Sequence, residues 1–383
     1  MSNGLVLTGG GARGAYQAGV LRAVGELHGR RPLPFQVISG TSAGSINGTY
    51  LAGRAEDFEE ATAGLWALWE SITLDKVYKT DTATMVKVGA GWIANLGLGG
   101  WMGSGHPQSL LDTAPLRALL TAALDVENAR CNIASGVLHG LAVSTTRLDT
   151  GLGVTFYDAN PEILPWVRRT RTSEQAHITL DHVMASAAIP IFFPATSIEG
   201  LWYSDGGVRM HSPLSPAIHL GAKHILAIGV QRTAGRPAVL PAPYPSTAHM
   251  VGLLLDALFM DALDADIERA ERINRTLALL IPNTAATQSP LHPLTLLTFQ
   301  PTRDLGRLGD HPLTQFPYVL RHLLRGLGAT DEEGWSLLSY LAFEPSYIKQ
   351  LLSAGYSDGM ARKAEILAFL KAAELLVGCD AAH

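Results

Sequence analysis

Only two cysteines, Cys131 and Cys379, occur in 383 residues. They form no recognisable pairing pattern, so the chain has no disulfide framework and both are expected to be reduced thiols. Charge is sparse and close to balance: 29 Lys and Arg stand against 34 Asp and Glu, a formal net charge of -5. That balance argues against nucleic acid as a main partner. No uncharged apolar run reaches the roughly 18 residues of a membrane-spanning helix. No basic stretch followed by an apolar one precedes the first predicted strand, so a signal peptide is not expected and the location read from the sequence is cytoplasmic. The 13 histidines are scattered; His219 and His224 are spaced off one helical face, and His211 is only worth watching for its place soon after Asp205. There is no His-Glu-x-x-His, no cysteine pair and no acidic loop of the calcium-binding type. Neither a metal nor a cofactor is expected.

What the chain does have is glycine, 39 residues of it, concentrated in turns between apolar runs. Gly40-Thr41-Ser42-Ala43-Gly44 follows the short run Phe35-Gln36-Val37-Ile38 and precedes a stretch from Ser45 to Ala52 that can form a helix. A Gly-x-Ser-x-Gly turn between strand and helix lifts its serine in a strained conformation, with the hydroxyl exposed to a reactant. Ser42 is therefore the candidate nucleophile.

A second cluster, Gly9-Gly10-Gly11-Ala12-Arg13-Gly14, lies between a predicted buried strand at Leu5 to Leu7 and a predicted helix from Ala15 to Val24. Consecutive glycines free backbone N–H groups to converge on an anion or an oxyanion. The same spacing fits a dinucleotide fingerprint, but no acidic residue ends a second strand about 20 residues on. No Gly-Lys-Ser/Thr phosphate loop is present either. With Ser42 in the next strand-turn-helix unit, the oxyanion reading prevails. Arg13 stabilises the loop or the site, or else sits in a surface salt bridge.

The third cluster is Asp205-Gly206-Gly207, after a short strand and downstream of Ala185-Ser186-Ala187-Ala188-Ile189-Pro190. The three clusters, in this order, resemble the patatin-like phospholipase family over roughly the first 230 residues. The resemblance implies a Ser-Asp dyad in which Ser42 accepts the acyl group and Asp205 takes its proton, with amides around Gly10, Gly11 and Ala12 holding the oxyanion. It also implies a three-layer α/β/α fold with a central, mostly parallel sheet. The expected activity is lipid acyl-ester hydrolysis of the phospholipase A or lysophospholipase type. Acyl transfer from the same serine, or a lipid-binding regulatory role with little catalysis, stands beside it. The partner expected is a lipid or acyl-ester substrate with transient contact at a membrane surface; an oligomeric state cannot be read.

Residues 85–105 are apolar and glycine-rich and suit either a flap over an acyl site or a packed loop. Arg168 to Arg171 suits an anionic surface or a solvated face. Asp112 to Pro115 begins a helix, and Ser346 is the expected N-cap of another. A proline-rich stretch from Arg236 to Pro245 divides the chain into an α/β core, 1–235, and a helical extension, 236–383.

Overall fold

The computed structural model describes residues 2–79, 109–232, 244–259, 261–280, 291–308, 316, 318–326, 328 and 335–380. The apolar run 85–105 and most of the proline-rich connection lie outside them. Strand β1 (Ser2–Leu7) leads to α1 (Gly14–His28), and β2 (Val37–Thr41) to α2 (Ala43–Ala52). Helices α3 (Phe58–Glu70), α4 (Leu74–Val77), α5 (Ala114–Ala123) and α6 (Val126–Ala134) come next, then β3 (Gly140–Arg147), β4 (Gly153–Ala159) and β5 (Arg171–Gln175). Helix α7 (Leu180–Ser186), the hairpin of β6 (Thr196–Ile198) and β7 (Leu201–Asp205), α8 (Ser215–His219) and β8 (Ala222–Ile228) complete the first part. Beyond them lie α9 (Thr247–Phe259), α10 (Asp261–Leu280), β9 (Thr295–Phe299), α11 (Tyr318–Gly326), α12 (Trp335–Leu341), α13 (Pro345–Ala361) and α14 (Lys363–Asp380).

The strands form one sheet in the order β5-β4-β3-β2-β1-β8-β9, with the β6–β7 hairpin joined to β3. Pairing is parallel along β3-β2-β1-β8-β9 and between β4 and β5. It is antiparallel where β3 meets β4 and β7. The alternation of side chains along each strand sorts the core into two layers. Leu5 and Leu7 join Ile38, Leu226 and Ile228 on one face, where α1, α2, α3 and α13 pack. Val6 joins Val37, Ile225 and Ala227 on the other, covered by α8 and α10. This is the three-layer α/β/α arrangement expected.

The segment beyond 236 is not wholly helical. Thr295–Phe299 pairs in parallel with β8, extending the central sheet. The five residues Thr-Leu-Leu-Thr-Phe are too short to read as a strand against the long helical patterns around them. Helix α13 also starts two residues earlier than expected: Pro345 takes the first turn and the Glu344 carboxylate accepts from the Ser346 and Tyr347 amides at 2.9 and 3.3 Å. Proline's preference for the first helical position explains the shift.

Helix α13 docks on α1 through glycines at backbone distance. A Cβ on Gly355 would lie 2.0 Å from the Tyr16 carbonyl oxygen, and one on Gly19 would lie 2.2 Å from that of Leu352. Backbone cannot yield as a flexible side chain can. Gly355→Ala is therefore expected to lower stability by about 1–3 kcal/mol or more through overpacking, read as a reduced midpoint in equilibrium denaturation.

Candidate active site

The site forms where β3 changes partners. Its outer edge carries β4 from Gly140 to Thr146. Its inner edge carries β2 only as far as the Thr41–Ser144 pair, because the chain turns at Ser42 into α2. The vacated edge at Thr145 to Arg147 is filled by β7 running the opposite way, with Asp205 opposite Thr145. The end of β2 and the end of β7 thus meet on consecutive residues of β3. That is what brings position 205 to position 42 across the fold.

Ser42 adopts φ 55 and ψ -128, a conformation that serine occupies only when its surroundings enforce it. Two glycines make the turn possible. A Cβ on Gly40 would lie 2.4 Å from the Gly44 carbonyl oxygen, and one on Gly44 would lie 2.3 Å from that of Leu7. The Ser42 amide donates to Ser186 Oγ at 2.9 Å, and Ser186 Oγ donates to the Ser144 carbonyl at 2.6 Å. The Ser42 carbonyl accepts from Ser45 N at 2.8 Å and Ser45 Oγ at 2.6 Å. The elbow is therefore bonded on both sides.

Asp205 is fully buried. Its amide donates to the Ala188 carbonyl at 2.9 Å, and its own carbonyl accepts from Thr146 Oγ1 at 2.8 Å. Oδ1 accepts from the Gly207 amide at 2.8 Å. Oδ2 is buried with no hydrogen bond of ordinary length, although the Ser42 hydroxyl lies against the carboxyl closely enough to favour its charged form. Burial outweighs that help and the Gly207 bond, and pushes the carboxyl up to about 7. Gly206 follows with no room for a side chain: a Cβ would sit 2.1 Å from the Ser144 carbonyl oxygen.

The glycine-rich loop runs along the same end of the sheet. Gly11 and Ser42 both line an apolar pocket. Apart from Ser42, every described side chain on its wall is apolar, including Trp69 from α3, Leu120 from α5, Phe193 and Phe343. Ser42, only 2% exposed, faces this space rather than open solvent.

Arg13 is not in a surface salt bridge: it is buried and paired with Asp256 at 3.3 Å. His211 is exposed. Among the described residues, no three His, Cys, Asp or Glu side chains stand together as metal ligands. The clusters at 9–14, 40–44 and 205–207 all reach one end of the sheet. Ser186, Tyr340 and Phe343 join them there, and sequence reasoning assigned none of the three a role. Only Ser186 carried a signal, as part of the Ala-Ser-Ala-Ala-Ile-Pro stretch.

The sequence profile of the patatin-like phospholipases matches residues 5–218. The chain belongs to the patatin-like phospholipase family. This patatin-like chain is 40% identical over 89 residues to lysophospholipase NTE1 of Mycosarcoma maydis, a stretch covering 21% of this chain and 4% of that protein. Over 92 residues it is 38% identical to lysophospholipase nte1 of Aspergillus terreus, covering 22% and 6%. Over 81 residues it is 42% identical to the patatin-like phospholipase domain-containing protein ZK370.4 of Caenorhabditis elegans, covering 20% and 6%. The matched stretch is thus a small part of those relatives. Among solved structures, human GIVD cytosolic phospholipase A2 with methyl gamma-linolenyl fluorophosphonate aligns at a TM-score of 0.41 and 16% identity, covering 97% of this chain and 58% of that one. VipD of Legionella pneumophila aligns at 0.35 and 13%, covering 96% and 67%. No helix among the described residues of this family member is long and apolar enough to cross a membrane.

The bond from the Ser42 amide to Ser186 Oγ is fully buried. Ser186→Ala leaves that amide and the Ser144 carbonyl short of a partner, and is expected to cost about 1–3 kcal/mol. The loss should appear in chemical denaturation.

Proposed function

We propose that this protein hydrolyses acyl esters of lipids, with Ser42 as nucleophile and Asp205 as its base. The observation that carries the reading is a buried carboxyl, raised to about 7, lying against a strained serine at the wall of an apolar cavity. A carboxylate at its ordinary pKa, near 3.9, is a poor base toward a hydroxyl. One raised to about 7 is ionised in part at neutral pH and far more basic, as general-base catalysis requires.

In this scheme Asp205 removes the Ser42 proton as Oγ attacks the ester carbonyl. The amides of Gly10, Gly11 and Ala12 hold the oxyanion that forms, each donor being worth roughly 3 kcal/mol. On collapse, the alcohol leaves with the proton from Asp205, and Ser42 carries the acyl group. Water then gives its proton to Asp205 and attacks the acyl-enzyme, releasing the fatty acid and restoring Ser42. The described wall is apolar and fits a hydrocarbon chain, and no described side chain on it offers a charge to a head group. Several relatives are named lysophospholipases, and a single-chain lysophospholipid is the substrate class we propose.

Fluorophosphonate labelling tests the nucleophile. The adduct should map to Ser42 by mass spectrometry, Ser42→Ala should lose both labelling and lysophospholipid hydrolysis, and an unchanged turnover in Ser42→Ala would sink the reading.

The pH dependence follows from Asp205. Its base form grows in across neutrality, so kcat should rise with an apparent pKa near 7. Stability runs the other way. The folded-state pKa lies above the unfolded one, so the folded protein binds this proton more tightly, and stability falls as pH climbs from about 4 to about 7. Asp205→Asn should remove that fall while abolishing turnover, which unfolding measured at pH 5 and pH 8 will check.

A further inference from the structure

A loop of glycines has few side chains with which to hold itself in place, so its position must be set by its surroundings. Here much of the hold comes from the C-terminal part of the chain. Gly11 rests on the backbone of α12: a Cβ there would lie 2.4 Å from the Tyr340 carbonyl oxygen. Arg13 carries the stronger attachment. Its Nε and Nη2 donate to Ser339 Oγ at 2.9 and 2.7 Å, and Nη2 also reaches Ser336 Oγ at 3.3 Å. Its guanidinium lies over the Tyr340 ring, 4.7 Å from the centroid, and Nη1 meets Asp256 Oδ1 at 3.3 Å. Asp256, from α9, also accepts from Tyr340 Oη at 3.1 Å and from Ser336 Oγ. One carboxylate thus ties the arginine of the loop to the two α12 side chains beside it. Serine hydroxyls can bond the guanidinium but cannot balance its charge, so removing this carboxylate weakens the hold on the buried cation.

We propose that Asp256 is a positioning residue for the hydrolysis argued above, on which this inference rests. Through Arg13 it holds the amides of Gly10 to Ala12 at the spacing from Ser42 that a tetrahedral oxyanion needs. The C-terminal part then governs the rate of the chemical step rather than the affinity for lipid.

The test is the kinetics of Ser42 phosphonylation by a fluorophosphonate, in the full chain, for wild type, Asp256→Asn, Asp256→Glu and Ser339→Ala, with thermal unfolding as the check on folding. The rate at saturating probe is expected to fall about tenfold or more in Asp256→Asn, as a displaced catalytic donor demands. The half-saturating concentration should stay constant, and Asp256→Glu should recover part of the rate. An unchanged saturating rate in folded Asp256→Asn overturns the proposal, as does a change confined to the half-saturating concentration. Where Asp256→Asn does not fold, Ser339→Ala decides by the same two criteria. If wild type fails to label at Ser42, the hydrolase reading falls and this inference with it; labelling at Ser42 with a silent Asp256→Asn removes the inference alone.

Discussion

The exchange of partners along β3 is the constraint on which the rest of the site depends. A strand edge in the middle of a sheet cannot be left bare, because its N–H and C=O groups need partners. When β2 ends at Thr41 and the chain turns away, that edge has to be filled, and β7 fills it from the opposite direction. The turn and the end of β7 must then abut. Ser42 and Asp205 are neighbours for the same reason that the sheet is continuous, so backbone hydrogen bonding rather than any attraction between the two side chains sets their geometry.

Charge burial is the cost of that arrangement. Asp205 lies wholly inside the protein with one carboxylate oxygen bonded to Gly207 and the other lacking an ordinary hydrogen bond. A fold selected for stability alone would put an apolar or neutral residue there. The strain at Ser42 and the desolvation at Asp205 sit at adjacent points of one sheet edge, and the well-bonded shell of Ser186, Ser45, Thr146 and Ala188 holds both in place. Strained or unsatisfied groups over-determined by their surroundings are characteristic of functional sites.

The parts of this site that could be read from the sequence are those written in consecutive residues. Gly-x-Ser-x-Gly and Asp-Gly-Gly state their local backbone requirements directly: Gly40, Gly44 and Gly206 stand where a Cβ would strike backbone. The parts that could not be read depend on distance along the chain. Nothing near Ser186 announces that its hydroxyl will bridge Ser42 and Ser144, and nothing near Asp256 points to an arginine 243 residues earlier. Arg13 itself looked equally suited to a surface pairing, since burial is decided by elements that arrive later. Strand β9 escaped for a different reason: five residues carry too little periodicity to stand out from the helical sequence on either side.

The region that matches the family ends at residue 218, before β8 begins. Yet β8 lies directly beside β1, and β9 beside β8. The recognisable segment is therefore not a self-sufficient unit. Detached from β8 and β9, it would present β1, an apolar strand from the centre of the sheet, as a naked edge, and an exposed edge of that kind invites pairing with other chains. Transplanting this segment into another protein would thus carry an aggregation hazard along with its chemistry, unless β8 and its helical cover travelled with it.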